Sequence, residues 1–360
     1  MPISILKHLV INNKNTVKIK KKMKKYLYIA IAAATLASCS QDDTLDVIQG
    51  EAIQFGNVFV GKSTRAAEAT DPSYGDKTPI TSFRLYGTLD GINIYNAVNV
   101  TKGTKQYNEA WTCPVTQYWV DGADYEFAAV VNNVTIEGET VTVANGTVTP
   151  DNKNMPSSIA YTADGTTDLL YAKVTRNNVG STANDKGIVA FSFEHLLAKA
   201  KFTLLNTTDH SKVQQGTAYT YDIKNLKITN TYGSGTYNVD NTWSNLGTAT
   251  PTEFGNIFNL VNGISQVCEA EKLLIPGLTE VTVSFEYDIK LNGTIIYTTP
   301  SAVTKTVAIP STVTDGKIKA NNAYNFQLNV GLNTPIEFTV TAAPTWVTPT
   351  HDVSVPEQKQ

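Results

Sequence analysis

Between Val281 and Leu291 the apolar residues Val281, Val283, Phe285, Tyr287, Ile289 and Leu291 alternate with Thr282, Ser284, Glu286, Asp288 and Lys290. A period of two puts one set on each face of a strand. Asn292-Gly293 follows, a pair suited to the positive φ angles of a two-residue hairpin turn, and Thr294 to Thr298 supplies the return strand. The same alternation marks Phe83/Leu85, Val189/Phe191/Phe193, Ala198/Ala200/Phe202/Leu204, Tyr324/Phe326/Leu328/Val330 and Ile336/Phe338/Val340. From Ala66 onward no stretch of ten residues carries the 3.6-residue period of a helix, and no fixed repeat of solenoid or propeller length is present. Strands with one wet face predict antiparallel sandwiches, in which each sheet buries one face against its partner. Three interruptions are expected. Glu194 to Lys199 reads as a helical turn and Asp151 to Ser158 as a long loop. Arg176 to Gly187, rich in Asn, Ser, Gly and Asp, reads as either a domain boundary or a hairpin loop.

Composition agrees with sheets and sets the number of units. The chain has 360 residues, above the roughly 250 at which one core usually gives way to two. Its 49 Thr and 17 Tyr favour strands. Charged residues are 17%, below the roughly 25% of an average soluble chain. The net charge of −3 conceals an asymmetry: residues 1–38 hold eight Lys and no acid, so the remainder is strongly acidic. Such a body lacks the clustered Lys and Arg that displace counterions from phosphates, which excludes nucleic acid as a partner.

The basic start is an address. Five lysines between Lys20 and Lys25 precede the apolar run Tyr26 to Ala37, then Ser38 and Cys39. A run of twelve residues is too short for a membrane-spanning helix, which takes about 20, and fits a cleaved secretory signal. Leu36-Ala37-Ser38-Cys39 resembles the bacterial lipobox, in which the signal is removed just before a Cys that receives a diacylglycerol. Met23 is the natural start of such a signal. Ser40-Gln41-Asp42-Asp43 reads as either an acidic surface-export tag or a solvated linker. With Cys39 lipidated, Cys113 and Cys268 remain, either one disulfide or two unrelated buried thiols.

Catalytic chemistry finds no constellation. His195, His210 and His351 stand in no metal-ligand spacing, and there is no nucleophile elbow, phosphate loop or dinucleotide fingerprint. His195 reads as a structural histidine at a strand end. Asp121/Asp124 and Asp164/Asp168 read as turn residues, with calcium ligation the alternative. No cofactor and no metal are expected, and the chain is read as no enzyme. Trp111 and Trp119 are either core residues or a sugar-stacking platform.

The ordered landmarks along the chain resemble the fimbrillin family of Bacteroidales, the type V pilin subunits. They are Ala52 to Val60, Ser63-Thr64-Arg65-Ala66-Ala67, Trp111, Tyr118-Trp119, Tyr125 to Ala129, Asp168 to Ala172, Phe191 to Lys199, Leu274-Ile275-Pro276, Ala323-Tyr324 and Ile336 to Val340 before Trp346. Val120 departs from the proline that often follows Tyr-Trp in that family. The resemblance implies an all-β fold of two antiparallel β-sandwich domains in tandem. It divides the chain into a signal (1–38), a leader removed on maturation (39–65), an N-terminal sandwich (66–187), a C-terminal sandwich (188–346) and a tail (347–360). It further implies that a leader strand with Ile53, Phe55 and Val58 completes the first domain until an Arg-specific protease cuts between Arg65 and Ala66. A donor strand from the next subunit's tail, with Val347, Val353 and Val355, would then replace it. Other fimbrial subunits are the implied partners, the lipid on Cys39 anchors the precursor to the outer membrane, and the product is a surface fimbrium serving adhesion. The competing reading is a surface-anchored, monomeric glycan-binding lipoprotein that uses its Trp residues.

Overall fold

A computed structural model describes residues 50–60, 80–102, 111–136, 139–141, 147–181, 186–214, 216–268, 271–332 and 334–343. Cys39, Arg65, Ala66, Trp346, Val347, Val353 and Val355 lie outside the described residues. The described chain forms strands joined by turns, with 3-10 turns at His210–Lys212 and Thr314–Gly316. No helix among the described residues is long and apolar enough to cross a membrane.

The first unit is built on one large sheet. In spatial order it holds β1 (Phe55–Val60), β9 (Val189–His195), β8 (Leu170–Arg176), β4 (Tyr125–Ile136), β2 (Ile80–Leu89) and β3 (Ile92–Thr101), with β5 (Glu139–Val141) on β4. Alternation distributes its side chains to two cores. Phe83, Leu85, Phe127, Ala129 and Val131 face one, together with β1, Trp111 and Trp119. Tyr86, Ala128 and Val130 face the other, against a four-stranded sheet of β6 (Thr147–Pro150), β7 (Pro156–Thr162), β12 (Ser234–Asn238) and β13 (Thr242–Ser244).

The second unit is a sandwich of two five-stranded sheets. One holds β15 (Ser265–Val267), β10 (Ala198–Asn206), β20 (Ala323–Gly331) and β21 (Thr334–Ala343), with β16 (Lys272–Leu274) on β10. The other holds β14 (Thr252–Val261), β11 (Tyr219–Ile228), β17 (Glu280–Leu291) and β18 (Thr294–Thr298), with β19 (Val303–Ala308) on β17. The inward residues Ala198, Ala200, Phe202 and Leu204 of β10 and Tyr324, Phe326, Leu328 and Val330 of β20 fill the space between them. β10 also turns Asn206 inward, where its amide donates to the carbonyls of Tyr219 and Leu260, 3.1 Å each, and ties the two sheets at one end. A buried amide is retained because it is fully bonded.

The all-β architecture of two sandwiches is as expected, but the sheets are not purely antiparallel, since β1 pairs with β9 and β10 with β20 in parallel; the β17–β18 hairpin turns on Asn292 (φ 49°) and Gly293 (φ 85°). Three local expectations change. Asp151 to Ser158 is a tight hairpin, because Asp151 Oδ1 accepts from the amides of Lys153 (2.8 Å) and Met155 (2.9 Å) and closes the turn between β6 and β7. Glu194 to Lys199 is no helical turn: β9 and β10 run up to a bend at Leu196-Leu197, whose side chains are both buried. Arg176 to Gly187 joins the antiparallel pair β8 and β9, so it is a hairpin loop. Strand pairing therefore carries the first unit to His195, beyond the expected boundary at 187/188. The β12–β13 ribbon, from within the second half of the sequence, pairs back onto β7. Trp243 of that ribbon donates its indole N–H to the Leu196 carbonyl (3.2 Å), so the ribbon clasps the bend where one unit passes into the other.

Candidate functional site

β1 is held on both flanks. On one side it runs parallel to β9, with Phe55 opposite Val189 and Gly56 opposite Ala190, and the Val189 amide donates to the Gln54 carbonyl at 2.8 Å. On the other it pairs antiparallel with the segment from Trp111 to Trp119. There Ile53 N–H donates to Gln117 (2.8 Å), Trp111 N–H to Phe55 (3.1 Å) and Trp119 N–H to Glu51 (2.9 Å). From Glu51 to Phe55 the chain is bonded on both flanks, and along β1 it continues on β9 with an irregularity between Gly56 and Phe59.

Its side chains are internal too. Ile53, Phe55 and Val58 are buried, Phe55 at 1% exposure. The Phe55 ring stands edge-on to Tyr95 (5.6 Å) and Phe127 (5.9 Å) and stacks on Phe191 (6.2 Å). These are the offset and edge geometries in which aromatic quadrupoles attract, each adding about 1 kcal/mol to the area buried. Glycine at 87 makes the cage possible, since a Cβ there would lie 2.8 Å from Tyr95 and 3.0 Å from Phe127. Tyr95 escapes the sequence reading because β3 shows no sustained alternation: its burial is interrupted by Ala97, whose φ is 51°.

The covering segment is fixed from below. Tyr125 Oη accepts from the Val120 amide (2.8 Å) and donates to the Tyr118 carbonyl (3.2 Å), and burial pushes its pKa up to about 12, which keeps the hydroxyl a donor. Trp119 lies edge-on to Tyr125 at 4.8 Å, and Trp111 tilts against Phe83 at 5.2 Å. Both tryptophans are buried. They wall the β1 slot and offer no stacking platform, which decides between the two alternatives in the sequence.

The remaining candidate residues are occupied locally. His195, buried at the end of β9, places Nδ1 2.6 Å from Asp168 Oδ2, while Asp168 Oδ1 accepts from Leu169 N–H. Asp164 closes a turn through the amides of Thr166 (2.7 Å) and Thr167 (2.6 Å). Asp121 pairs with Lys186 (2.6 Å), and Asp124 accepts from the Asn178 amide (2.8 Å). Among the described residues no three potential metal ligands cluster. Cys113 borders the first core and Cys268 is buried in the second, both as free thiols. The disulfide alternative fails because the two residues belong to different cores.

A family model described as fimbrillin-like matches residues 64–345. The chain belongs to the fimbrillin-like family. β1 lies just before the matched span, so this fimbrillin-like fold is completed by residues from outside it. Solved structures similar to the chain include a fimbrial protein from Bacteroides vulgatus, 15% identical, covering 81% of this chain and 99% of that one with a TM-score of 0.49. Another is a fimbrial assembly protein from Parabacteroides distasonis, 14% identical, covering 81% of this chain and all of that one with a TM-score of 0.41. None of the curated proteins matches the sequence.

Proposed function

We propose that this fimbrial-type structural subunit polymerises by exchanging β1 for a strand of another subunit. The precursor is exported as a lipoprotein and anchored to the outer membrane through Cys39. An Arg-specific protease cuts between Arg65 and Ala66, five residues beyond the end of β1. The freed leader departs, and a donor tail with Val347, Val353 and Val355 takes its place in the next subunit. Acceptor slot and donor tail lie at opposite ends of the sequence, so the contact is heterologous and propagates as a filament that serves adhesion at the cell surface.

The observation that supports this reading is the two-sided seating of β1. Losing it exposes the rim of β9, the rim of the Trp111–Trp119 segment and the void left by Phe55. Unpaired rims and apolar voids are what an added strand satisfies. The alternative of a monomeric glycan-binding lipoprotein loses its support with the burial of Trp111 and Trp119.

The test is a soluble Cys39→Ser precursor treated briefly with trypsin and read by intact mass and by gel without boiling. Cleavage at Arg65 followed by an SDS-resistant ladder is expected, and deletion of the tail from Val353 abolishes the ladder. Stable monomers after cleavage at Arg65 would sink the strand-exchange reading.

A further inference from the structure

The β1 slot is selective in shape, and this chain's own tail fills it less completely than an aromatic donor would. At Ile53 it takes a buried aliphatic side chain; at Gln54 it takes an exposed residue. At Phe55 it takes an aromatic ring caged by Tyr95, Phe127 and Phe191. At Gly56 the nearest atom to an added Cβ is Ile188 Cγ2, 3.0 Å away on an exposed side chain that can turn aside. The slot therefore asks for aliphatic, any, aromatic.

The tail beyond Ala343 does not supply that order. Its alternating apolar side presents Val347, Pro349, His351, Val353 and Val355. In every register that turns this side inward, the Phe55 cage receives a valine, a proline or a polar imidazole. The other side presents Thr348, Thr350, Asp352 and Ser354, and inserting it would bury Thr, Ser or a carboxylate in the cage. Trp346 is three residues past the end of β21, so seating it in a neighbour's cage would require that slot within about 10 Å of extended chain from this strand. A valine in a cage shaped for a benzyl group leaves an unfilled void, and the lining rings lose their contacts on that side.

Resting on the strand-exchange reading, we infer that the β1 slot prefers the tail of a different chain, one with Phe, Tyr or Trp at the Phe55 position, over the tail of another copy. The subunit then joins unlike partners more durably than copies of itself. Its own tail, slender and free of aromatics past Trp346, suits an acceptor with a narrower cage. Specificity of this kind works by misfit of the wrong partner as much as by fit of the right one.

Displacement of the leader tests this. The Cys39→Ser precursor is cleaved at Arg65 with the fluorescently labelled leader fragment left in its slot, then challenged with an excess of four peptides. These are residues 49–60, residues 347–360, and the latter with Val353→Phe or with Val355→Phe. The expected result is displacement by 49–60 and by at least one Phe variant, with a bound half-life at least about tenfold longer than that of the unaltered tail. If 49–60 exchanges and neither Phe variant outlasts the unaltered tail, the aromatic selection is wrong while strand exchange stands. If even 49–60 fails to exchange, the strand-exchange reading falls first and takes this inference with it.

Discussion

The two sandwiches treat their edge strands differently. In the second, β14 is bent by two residues in the left-handed region, Gly255 (φ 89°) and Asn259 (φ 55°), and its register on β11 shifts three times. On the opposite side, β18 carries one extra residue, Ile296, between its pairings with Ile289 and Lys290, and all five of its residues are exposed. Bulges of this kind bend an edge away from flat pairing with another chain. In the first sandwich β1 has a partner on each flank, and its Phe55 lies at the centre of a core. The second unit makes these two strands poor templates, while the first encloses its vulnerable place under a strand that a single cut upstream of β2 would detach. On the strand-exchange reading, the joint of the fibre falls in the first unit and the second is a closed body.

The strongest way to break this contrast is to remove one ring from each core. Phe55→Ala should cost the uncleaved precursor about 3 to 5 kcal/mol in the first unit, the range for a fully buried Phe. Phe326→Ala, buried between the sheets of the second unit, should cost a similar amount there. Urea unfolding followed by tryptophan fluorescence separates the two, because Trp111 and Trp119 sit in the first core. After cleavage and leader release the Phe55 variant should match the parent, while the Phe326 deficit persists. A Phe55→Ala loss below about 1 kcal/mol would mean that the first unit does not depend on β1.

The β17–β18 hairpin and the apolar leader were legible in the sequence because their signals are local. Alternation, Asn-Gly and the spacing of Ile53 and Phe55 each lie within a few residues of what they specify. The β12–β13 ribbon was not legible. In Ser234–Asn238 the polar majority conceals that Gly235 and Tyr237 turn inward, and its partner β7 is some seventy residues away. Leu196-Leu197 misled for a related reason: two adjacent leucines fit a helical turn as well as a bend, and only the clasp of Trp243 decides. The slot itself was half legible. The sequence offers Phe55 as an apolar strand residue, while the cage of Tyr95, Phe127 and Phe191 gathers three distant strands.

A second test sharpens the comparison through charge. In the closed body Asp222 and Asp288 lie directly opposite each other across β11 and β17, both buried. Lys290 stands 2.6 Å from Asp222 and Lys224 2.7 Å from Asp288. Burial pulls the Asp288 carboxyl upward, but the hydrogen bond and charge of Lys224, with the charge of Lys290, outweigh it and hold the pKa below the usual carboxylate value. A depressed folded pKa contributes stability that is present above the unfolded value, near 3.9, and is lost as pH falls through the folded one. Acid below about pH 4 should therefore loosen the second unit. Lys224→Met should remove about 2 kcal/mol at neutral pH and flatten that acid response. An unchanged acid limb in the variant would show that the Lys224–Asp288 pair contributes nothing.

The smallest effect is also the most local. Cys113 lies in the segment that covers β1, its thiol donating to the Val115 carbonyl at 3.2 Å and its pKa raised by burial. Cys268 is buried in the second core, where burial pushes its pKa up to about 11. A raised pKa starves a thiol of its reactive thiolate, about tenfold for each unit at a fixed pH below it. With β1 seated, both cysteines should react slowly with iodoacetamide at pH 8. Loss of β1 removes the partner strand of the segment holding Cys113, so that thiol gains water and should alkylate faster after leader release. Cys268 should keep its rate, because nothing in its core changes. Intact mass with peptide mapping, before and after displacement of the leader, reads both sites in one sample. Equal acceleration at both would mean that cleavage loosens the whole molecule and that the second unit is no closed body; acceleration at Cys113 alone would confine the change to the slot.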